Sequence, residues 1–255
     1  MLKRIVAAAL LILLCASAAG LCEAPVIPET FVYGTSELGR ELICHRVGPE
    51  AAARSMLMVF GVHGYEDDFD RDGEVLKLIA EHIIAHYTVH PEQLKDFCLY
   101  IVPVANPDGL LEGKSKDGFG RCNANGLDIN RDFPVGWTKK TTKRNKTGKE
   151  PFSTAEARAI RDLVETVKPT YGMDIHGWIK ASYGTGKMAK IFAEPFRFEI
   201  KKPSAGGMLC RWLGEVTEEA IMIELPPRPN KDGYVTKNGD KLIEGINVWV
   251  EYCAQ

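Results

Sequence analysis

The chain has 255 residues, 45% of them hydrophobic and 26% charged, with 32 Lys and Arg against 34 Asp and Glu and a formal net charge of -2. This is ordinary globular composition, long enough to bury a core without a metal or disulfide staple, so any metal is free to be catalytic. The balanced charge offers no field for nucleic acid or an anionic membrane surface, and no low-complexity tract points to disorder.

Lys3 and Arg4 precede an apolar run from Ile5 to Leu14, and small residues follow at Ala16, Ser17 and Ala18. That order predicts a secretory signal peptide over residues 1–18 and an exported mature chain, residues 19–255, periplasmic or extracellular. The run falls short of the roughly 20 residues of a membrane-spanning helix, so no transmembrane segment is expected in the mature chain. A lipoprotein anchored through Cys15 or Cys22 is the competing reading, opposed by the leucine that precedes each cysteine. Loss of the leader leaves Cys22, Cys44, Cys98, Cys122, Cys210 and Cys253. Export permits disulfides, while burial as small apolar residues accounts for the same positions equally well. The lack of a CxxC pair argues against a structural zinc knuckle or a thioredoxin-like site.

Ser55 to Gly61 reads as a buried strand, Gly73 to Tyr87 as a helix with Val75, Leu76, Ile79, Ile83 and Ile84 on one side, and Phe97 to Pro103 as a second strand. Ser153-Thr-Ala-Glu156 has the form of a capping box opening a helix to about Val167. Tyr171 to Ile175 and Ala220 to Leu225 read as further core strands, and Ile243 to Tyr252 as a closing helix. The pattern predicts a single α/β domain with a central mixed, mostly parallel twisted sheet flanked by helices. Between Asn106 and Glu150 periodicity lapses. Long irregular segments in a compact domain are commonly functional; Thr138 to Glu150 is expected to be a mobile surface excursion.

His63-Gly-Tyr-Glu66 follows a predicted strand, where the chain turns outward at the carboxyl end of the sheet and α/β proteins commonly put their sites. An imidazole and a carboxylate three residues apart can share one divalent ion, and a distant third ligand would leave a position open for water. Alone, HxxE is a weak signal. It gains meaning from Asn106-Pro-Asp-Gly109, from the run Arg121-Cys-Asn-Ala-Asn-Gly-Leu-Asp-Ile-Asn-Arg-Asp-Phe-Pro134, from Asp174-Ile-His-Gly177 and from Ile223-Glu-Leu-Pro226.

Together, and in this order, these elements resemble the zinc carboxypeptidase family typified by pancreatic carboxypeptidase A, over about residues 58–226. The resemblance implies one Zn2+ ion held by His63, Glu66 and His176, with Glu224 as general base. It implies Arg121 as the cation stabilising the oxyanion, Asn130 and Arg131 as the pair gripping a terminal carboxylate, and Asp128 as the carboxylate that orients a ligand imidazole, His63. Without it, Arg121 and Arg131 would read as surface residues of a solvated loop and Asp128 as a turn stabiliser. Glu224 differs, because a carboxylate in the apolar strand Ile221-Met-Ile-Glu-Leu225 is costly unless it faces a cation or a cleft.

Several other patterns carry no function in this reading. His82 and His86 lie one helical turn apart without the HExxH order. Asp67, Asp68, Asp70 and Asp72 lack the glycine and glutamate of a calcium loop, and are expected to form a solvated acidic lip. Asn145-Lys-Thr147 is a sequon with meaning only in a eukaryotic secretory pathway.

The sequence also departs from the pancreatic type. No tyrosine stands in Lys201 to Trp212, where a mobile tyrosine is expected; Tyr183 offers a substrate contact at most. Asp132 stands where asparagine is usual, and the His176 to Glu224 interval is short. With no stretch long enough for an inhibitory prodomain ahead of the first core strand, this compact form resembles the family's bacterial cell-wall peptidases, which implies a peptide substrate such as a cell-wall muropeptide, cut at a γ-D-glutamyl bond to a diamino acid. Two other classes share the residues: a zinc N-acyl amino acid deacylase of the aspartoacylase type, opposed by export and the full Arg121 to Pro134 run, and a non-catalytic peptide-binding relative, opposed by retention of all three ligands and Glu224.

Overall fold

The computed structural model describes residues 28–255; the expected signal peptide, Cys15 and Cys22 lie outside them. The described chain opens with an antiparallel hairpin, β1 (Glu29–Thr35) and β2 (Glu41–Val47), then runs through β3 (Arg54–Phe60), α1 (Gly73–Val89), β4 (Phe97–Val102), α2 (Pro107–Glu112) and β5 (Ser115–Cys122). The second half comprises α3 (Ala155–Val167), β6 (Tyr171–Gly177), β7 (Ala181–Tyr183), α4 (Lys187–Ala193), β8 (Glu199–Lys201), α5 (Leu209–Val216), β9 (Glu219–Leu225) and α6 (Tyr234–Cys253). One eight-stranded sheet has the order β1-β2-β4-β3-β6-β9-β7-β8. Its centre, β4-β3-β6-β9, is parallel, and antiparallel pairing enters at β1/β2, β2/β4 and β7/β9. The expected α/β class and mixed sheet are thus the observed ones.

Strand alternation sorts side chains into two cores, one on each face of the sheet. On β3, Met56, Met58 and Phe60 join the core shared with α1, α4 and α6. Leu57 and Val59 join the opposite core, with Ile160 and Leu163 of α3 and Leu209 and Leu213 of α5. On β6 the first core takes Tyr171, Met173 and Ile175; on β9 it takes Ile221, Ile223 and Leu225. Asp174, His176, Met222 and Glu224 therefore occupy the other face. In register, Asp174 pairs with Met222 and His176 with Glu224. The polar residues of two apolar strands are thereby gathered on one face near the strands' carboxyl ends.

Two expected boundaries move. The closing helix begins at Tyr234, nine residues before Ile243, because its first turns pack through Tyr234, Asn238 and Gly239, too sparse an apolar pattern to mark a helix, before the stripe that starts at Leu242. Gly239 lies so close that an added Cβ would sit 2.5 Å from the His82 ring. Helix α3 is capped by Thr154, not Ser153: the Thr154 hydroxyl accepts from the Ala157 N–H at 3.1 Å, while Ser153 donates to the Glu150 carbonyl. Glu156 does not reach back to the cap. Its carboxylate, buried and raised in pKa by that burial, accepts from Asn123 and from the Glu37 N–H instead.

Candidate metal centre and active site

The loop after β3 carries His63 and Glu66, and tight packing of two loops sets its path. A Cβ on Gly64 would meet the backbone of Gly109 and Leu110 at 2.3 Å, so only glycine fits between the two candidate ligands. The neighbouring loop is built by Asn106, which caps α2 by accepting from the Gly109 N–H and donates its amide to the carbonyls of Arg121 and Cys122. Asp108 beside it is fully buried, accepting from Ser36, the Leu38 N–H and Arg40. The Asn-Pro-Asp-Gly text is thus a joint that ties the hairpin, the ligand loop and β5 together.

His63, Glu66 and His176 converge. Their donor atoms lie within 4.8 Å of one another, all three residues are buried, and they form the one such group found among the described residues. Glu66 stands between the imidazoles, Oε2 at 3.2 Å from His63 Nδ1 and Oε1 at 3.0 Å from His176 Nδ1. Both rings therefore present Nδ1 inward and keep Nε2 for support behind. Behind His63 that support is Asp128 Oδ1, at 3.1 Å. Behind His176, Asp174 Oδ1 lies at 2.8 Å, out of line for a hydrogen bond, and the Asn130 amide nitrogen at 2.9 Å in bonding geometry. Inward Nδ1 atoms, a carboxylate between them and acids behind the outer nitrogens are the donor set a divalent ion requires.

The electrostatics follow from burial of many charges in little space. Burial works against ionisation of Glu66, yet His176 and His63 hold its carboxyl well below the usual range. Burial likewise opposes the charge on His176, and Asp174 and Glu66 overcome it, raising the imidazole well above its ordinary value. Asp128 is desolvated but held low by His63, Arg121 and Arg131. Glu224 goes the other way. Burial dominates, opposed by His176 and reinforced by Glu66 and Asp174, and its carboxyl is pushed up to about 8, with Oε2 lacking a hydrogen-bond partner.

These groups border a cleft of about 470 Å³ that is also lined by Arg121, Asn130, Arg131, Arg144, Trp178, Met208 and Met222. Arg121 comes from the end of β5, buried, with Nη2 3.8 Å from Asp128 Oδ2 and Nε unpaired. Arg131 donates Nη1 to the Asn130 carbonyl at 2.5 Å, and the remainder of its guanidinium has no partner among the described residues. The side chain of Asn130, by contrast, is taken up within the protein: Oδ1 accepts from the Leu209 N–H at 2.8 Å while Nδ2 faces His176. It holds His176 and the start of α5, while the guanidinium of Arg131 beside it keeps donors open to the cleft.

Of the remaining expectations some change and some hold. The Thr138 to Glu150 excursion is a wall of the cleft: Asp128 N–H bonds the Lys146 carbonyl, Thr147 is buried, and Arg144 pairs with Asp67 and Asp117. Asp72 does not belong to a solvated lip but is wholly buried. Tyr183 is absent from the cleft lining and packs with Met208, Cys210 and Met222. Asp132 accepts from the N–H and hydroxyl of Thr154, fastening the run after Arg131 to α3. The five cysteines among the described residues are all free thiols, four of them buried. His82 and His86 engage Asp240 and Gln93, as ordinary helix positions.

Sequence reasoning passed over Asp174, although its spacing of two from His176 on a strand was a usable signal. Arg144, Met208 and Met222 carried none, because only folding brings them to the cleft.

A buried His-Glu-His set beside an unpartnered glutamate, at the carboxyl end of an α/β sheet, defines a metal-dependent hydrolase. A profile of the zinc carboxypeptidases, peptidase family M14, matches residues 21–192, and the chain belongs to that family. It is 36% identical over 227 residues to bacteriocin BCN5 of Clostridium perfringens, an alignment covering 86% of this chain and 25% of that protein, so the chain spans about a quarter of that relative's length. With murein peptide amidase A of Escherichia coli (strain K12) it shares 27% identity over 219 residues, 78% of this chain and 82% of the relative. Among solved structures, the fold is similar to murein-tripeptide amidase MpaA from Escherichia coli O157, with TM-score 0.67, 23% identity and coverage of 91% and 95% of the two chains. It is also similar to carboxypeptidase A from Helicoverpa armigera, with TM-score 0.70, 18% identity and coverage of 89% and 69%. Among the described residues no helix is long and apolar enough to cross a membrane.

Proposed function

We propose that this chain is an exported peptidase that hydrolyses a peptide amide next to a free carboxylate in peptidoglycan stem peptides, at the γ-D-glutamyl bond to a diamino acid. The observation that carries the reading is the free guanidinium face of Arg131 in the same cleft as His63, Glu66, His176 and Glu224. A planar guanidinium with open donors can meet both oxygens of a substrate carboxylate at once. The murein substrate is supported by the likeness to murein peptide amidase A along most of both chains. Export rests on the basic, apolar and small-residue order of residues 1–18.

His63 Nδ1, Glu66 and His176 Nδ1 would hold a single zinc ion, with Asp128 accepting behind His63 to fix its tautomer and the Asp174 carboxylate close behind His176. When bound, that ion would acidify a water molecule and polarise the scissile carbonyl. Glu224, unpartnered and across the β6/β9 register from His176, takes the proton from water and returns it to the leaving amine. Arg121 lines the same cleft, and its guanidinium would donate to the oxygen on which charge develops. Asn130, beside Arg131 on the cleft wall, has its amide seated between the Leu209 N–H and the His176 ring.

The test is incubation of the purified zinc-loaded protein with muropeptides and with ordinary peptides, followed by product analysis. Release of the diamino acid from muropeptides is expected. Release from ordinary peptides alone would refute the cell-wall reading.

A further inference from the structure

Asp72 is fully buried at the start of α1, outside the metal triad, and its carboxylate accepts four N–H groups. Oδ1 takes the backbone N–H of Glu66 at 2.5 Å; Oδ2 takes those of Asp67 at 2.9 Å and Asp68 at 2.8 Å, and the Trp178 indole N–H at 2.7 Å. A buried carboxylate is costly unless hydrogen bonds replace its water, and charge-assisted N–H bonds of this length are the strong kind. The partners are what matter here. Glu66 is the carboxylate of the metal set, and Trp178 lies two residues beyond His176, so one carboxylate is bonded to the two chain segments that bring Glu66 Oε1 to 3.0 Å from His176 Nδ1. Those segments leave two different strands, β3 and β6.

Three further features make the brace stiff. Asp67 has a φ of 141°, a conformation that non-glycine residues seldom hold without outside support. Its N–H is bonded to Asp72. Gly73 donates to the Gly64 carbonyl and sits so close that a Cβ there would lie 2.6 Å from that oxygen, so Asp72 is seated against the His63-Gly64 backbone. Trp178 is held edge-on against Tyr234, 5.8 Å between ring centroids at 83°.

We infer that Asp72, acting through the Glu66–Asp68 backbone and the Trp178 indole, is a positioning residue that sets the separation of Glu66 and His176 and thereby the affinity of the metal site. The inference rests on the reading of His63, Glu66 and His176 as the metal ligands, and it holds for any substrate.

The experiment compares the wild-type chain with Asp72→Asn, Trp178→Phe and His63→Ala. Each metal-free protein is checked for native circular dichroism. Zinc affinity is then measured by competition with a chromophoric chelator, and the visible spectrum of the Co2+ form is recorded. Asp72→Asn should weaken zinc about ten- to a hundredfold and alter the Co2+ bands, as loss of support behind metal ligands does. Trp178→Phe removes one donor and should weaken zinc about three- to tenfold with the same spectral trend. Wild-type affinity and an unaltered Co2+ spectrum in either folded variant would overturn the inference. If Asp72→Asn does not fold, Trp178→Phe decides the matter. A zinc site that survives His63→Ala would remove the triad itself, and this inference with it.

Discussion

Replacing Glu224 with glutamine tests both the chemistry and the electrostatics of the cleft. In the metal-free protein, burial lifts this carboxyl from 4.5 to about 8. The folded state therefore binds this proton more tightly than the unfolded chain, so the contribution of Glu224 to stability is fully present below pH 4.5 and is lost as pH rises through about 8. Across that interval the loss amounts to about 5 kcal/mol. Glutamine carries no charge, so metal-free Glu224→Gln should melt above the metal-free wild type at about pH 9, and the gap should close toward about pH 5. A bound divalent cation reverses the local preference and draws the carboxylate into its ionised form. In the zinc-loaded enzyme the acid limb of the rate profile should therefore lie below 8, and Glu224→Gln should lower kcat by about 10² to 10⁴, or about 2.7 to 5.5 kcal/mol of barrier, without loss of zinc. The assay is peptide or muropeptide hydrolysis against pH, with metal content measured on the same samples. A zinc-replete variant with a near-wild-type rate would refute the assignment of the base; metal-free melting curves that respond identically to pH would refute the burial argument.

Arg131→Ala should raise KM about tenfold or more for substrates with a free terminal carboxylate, while substrates amidated at that carboxylate, already poor, should be nearly indifferent; kinetics on matched acid and amide pairs measures this. Asp128→Ala removes the acceptor behind His63 and should reduce zinc affinity about ten- to a hundredfold by chelator competition. Gly64→Ala forces a methyl to within 2.3 Å of the Gly109 and Leu110 backbone, so the variant should melt at lower temperature and lose zinc, a conjunction that calorimetry and metal analysis detect together. Thiol titration of the folded protein should find Cys253 the first of the described cysteines to react, with Cys44, Cys98, Cys122 and Cys210 appearing only on denaturation.

The likeness to the zinc carboxypeptidases explains why so much of the site was readable. His63, Glu66, Asp128, Arg131, His176 and Glu224 sit in short runs whose spacing survives because each run is a local backbone structure: a glycine-tight ligand loop, a turn closed by Asp128 accepting from the Asn130 N–H, and two strands in which alternate residues share a face. The central strands were legible for a related reason, since burial on both faces writes them as largely apolar runs, broken in β6 and β9 by Asp174, His176 and Glu224. Strands β1, β7 and β8 left a fainter trace: β1 and β8 are half-exposed with mixed side chains, and β7 and β8 have only three residues each.

The sequence alone carried the class of chemistry, through runs of residues that resemble the zinc carboxypeptidases and each keep a local spacing. Tertiary structure alone decided how those groups are held. Asn130 turns inward because the start of α5 offers it an N–H, Asp72 is a buried brace because the Glu66 loop and Trp178 fold around it, and Arg144 reaches the cleft because Asp67 and Asp117 wait there. Each of these depends on segments from distant parts of the chain meeting in space, and no local pattern of residues encodes such a meeting.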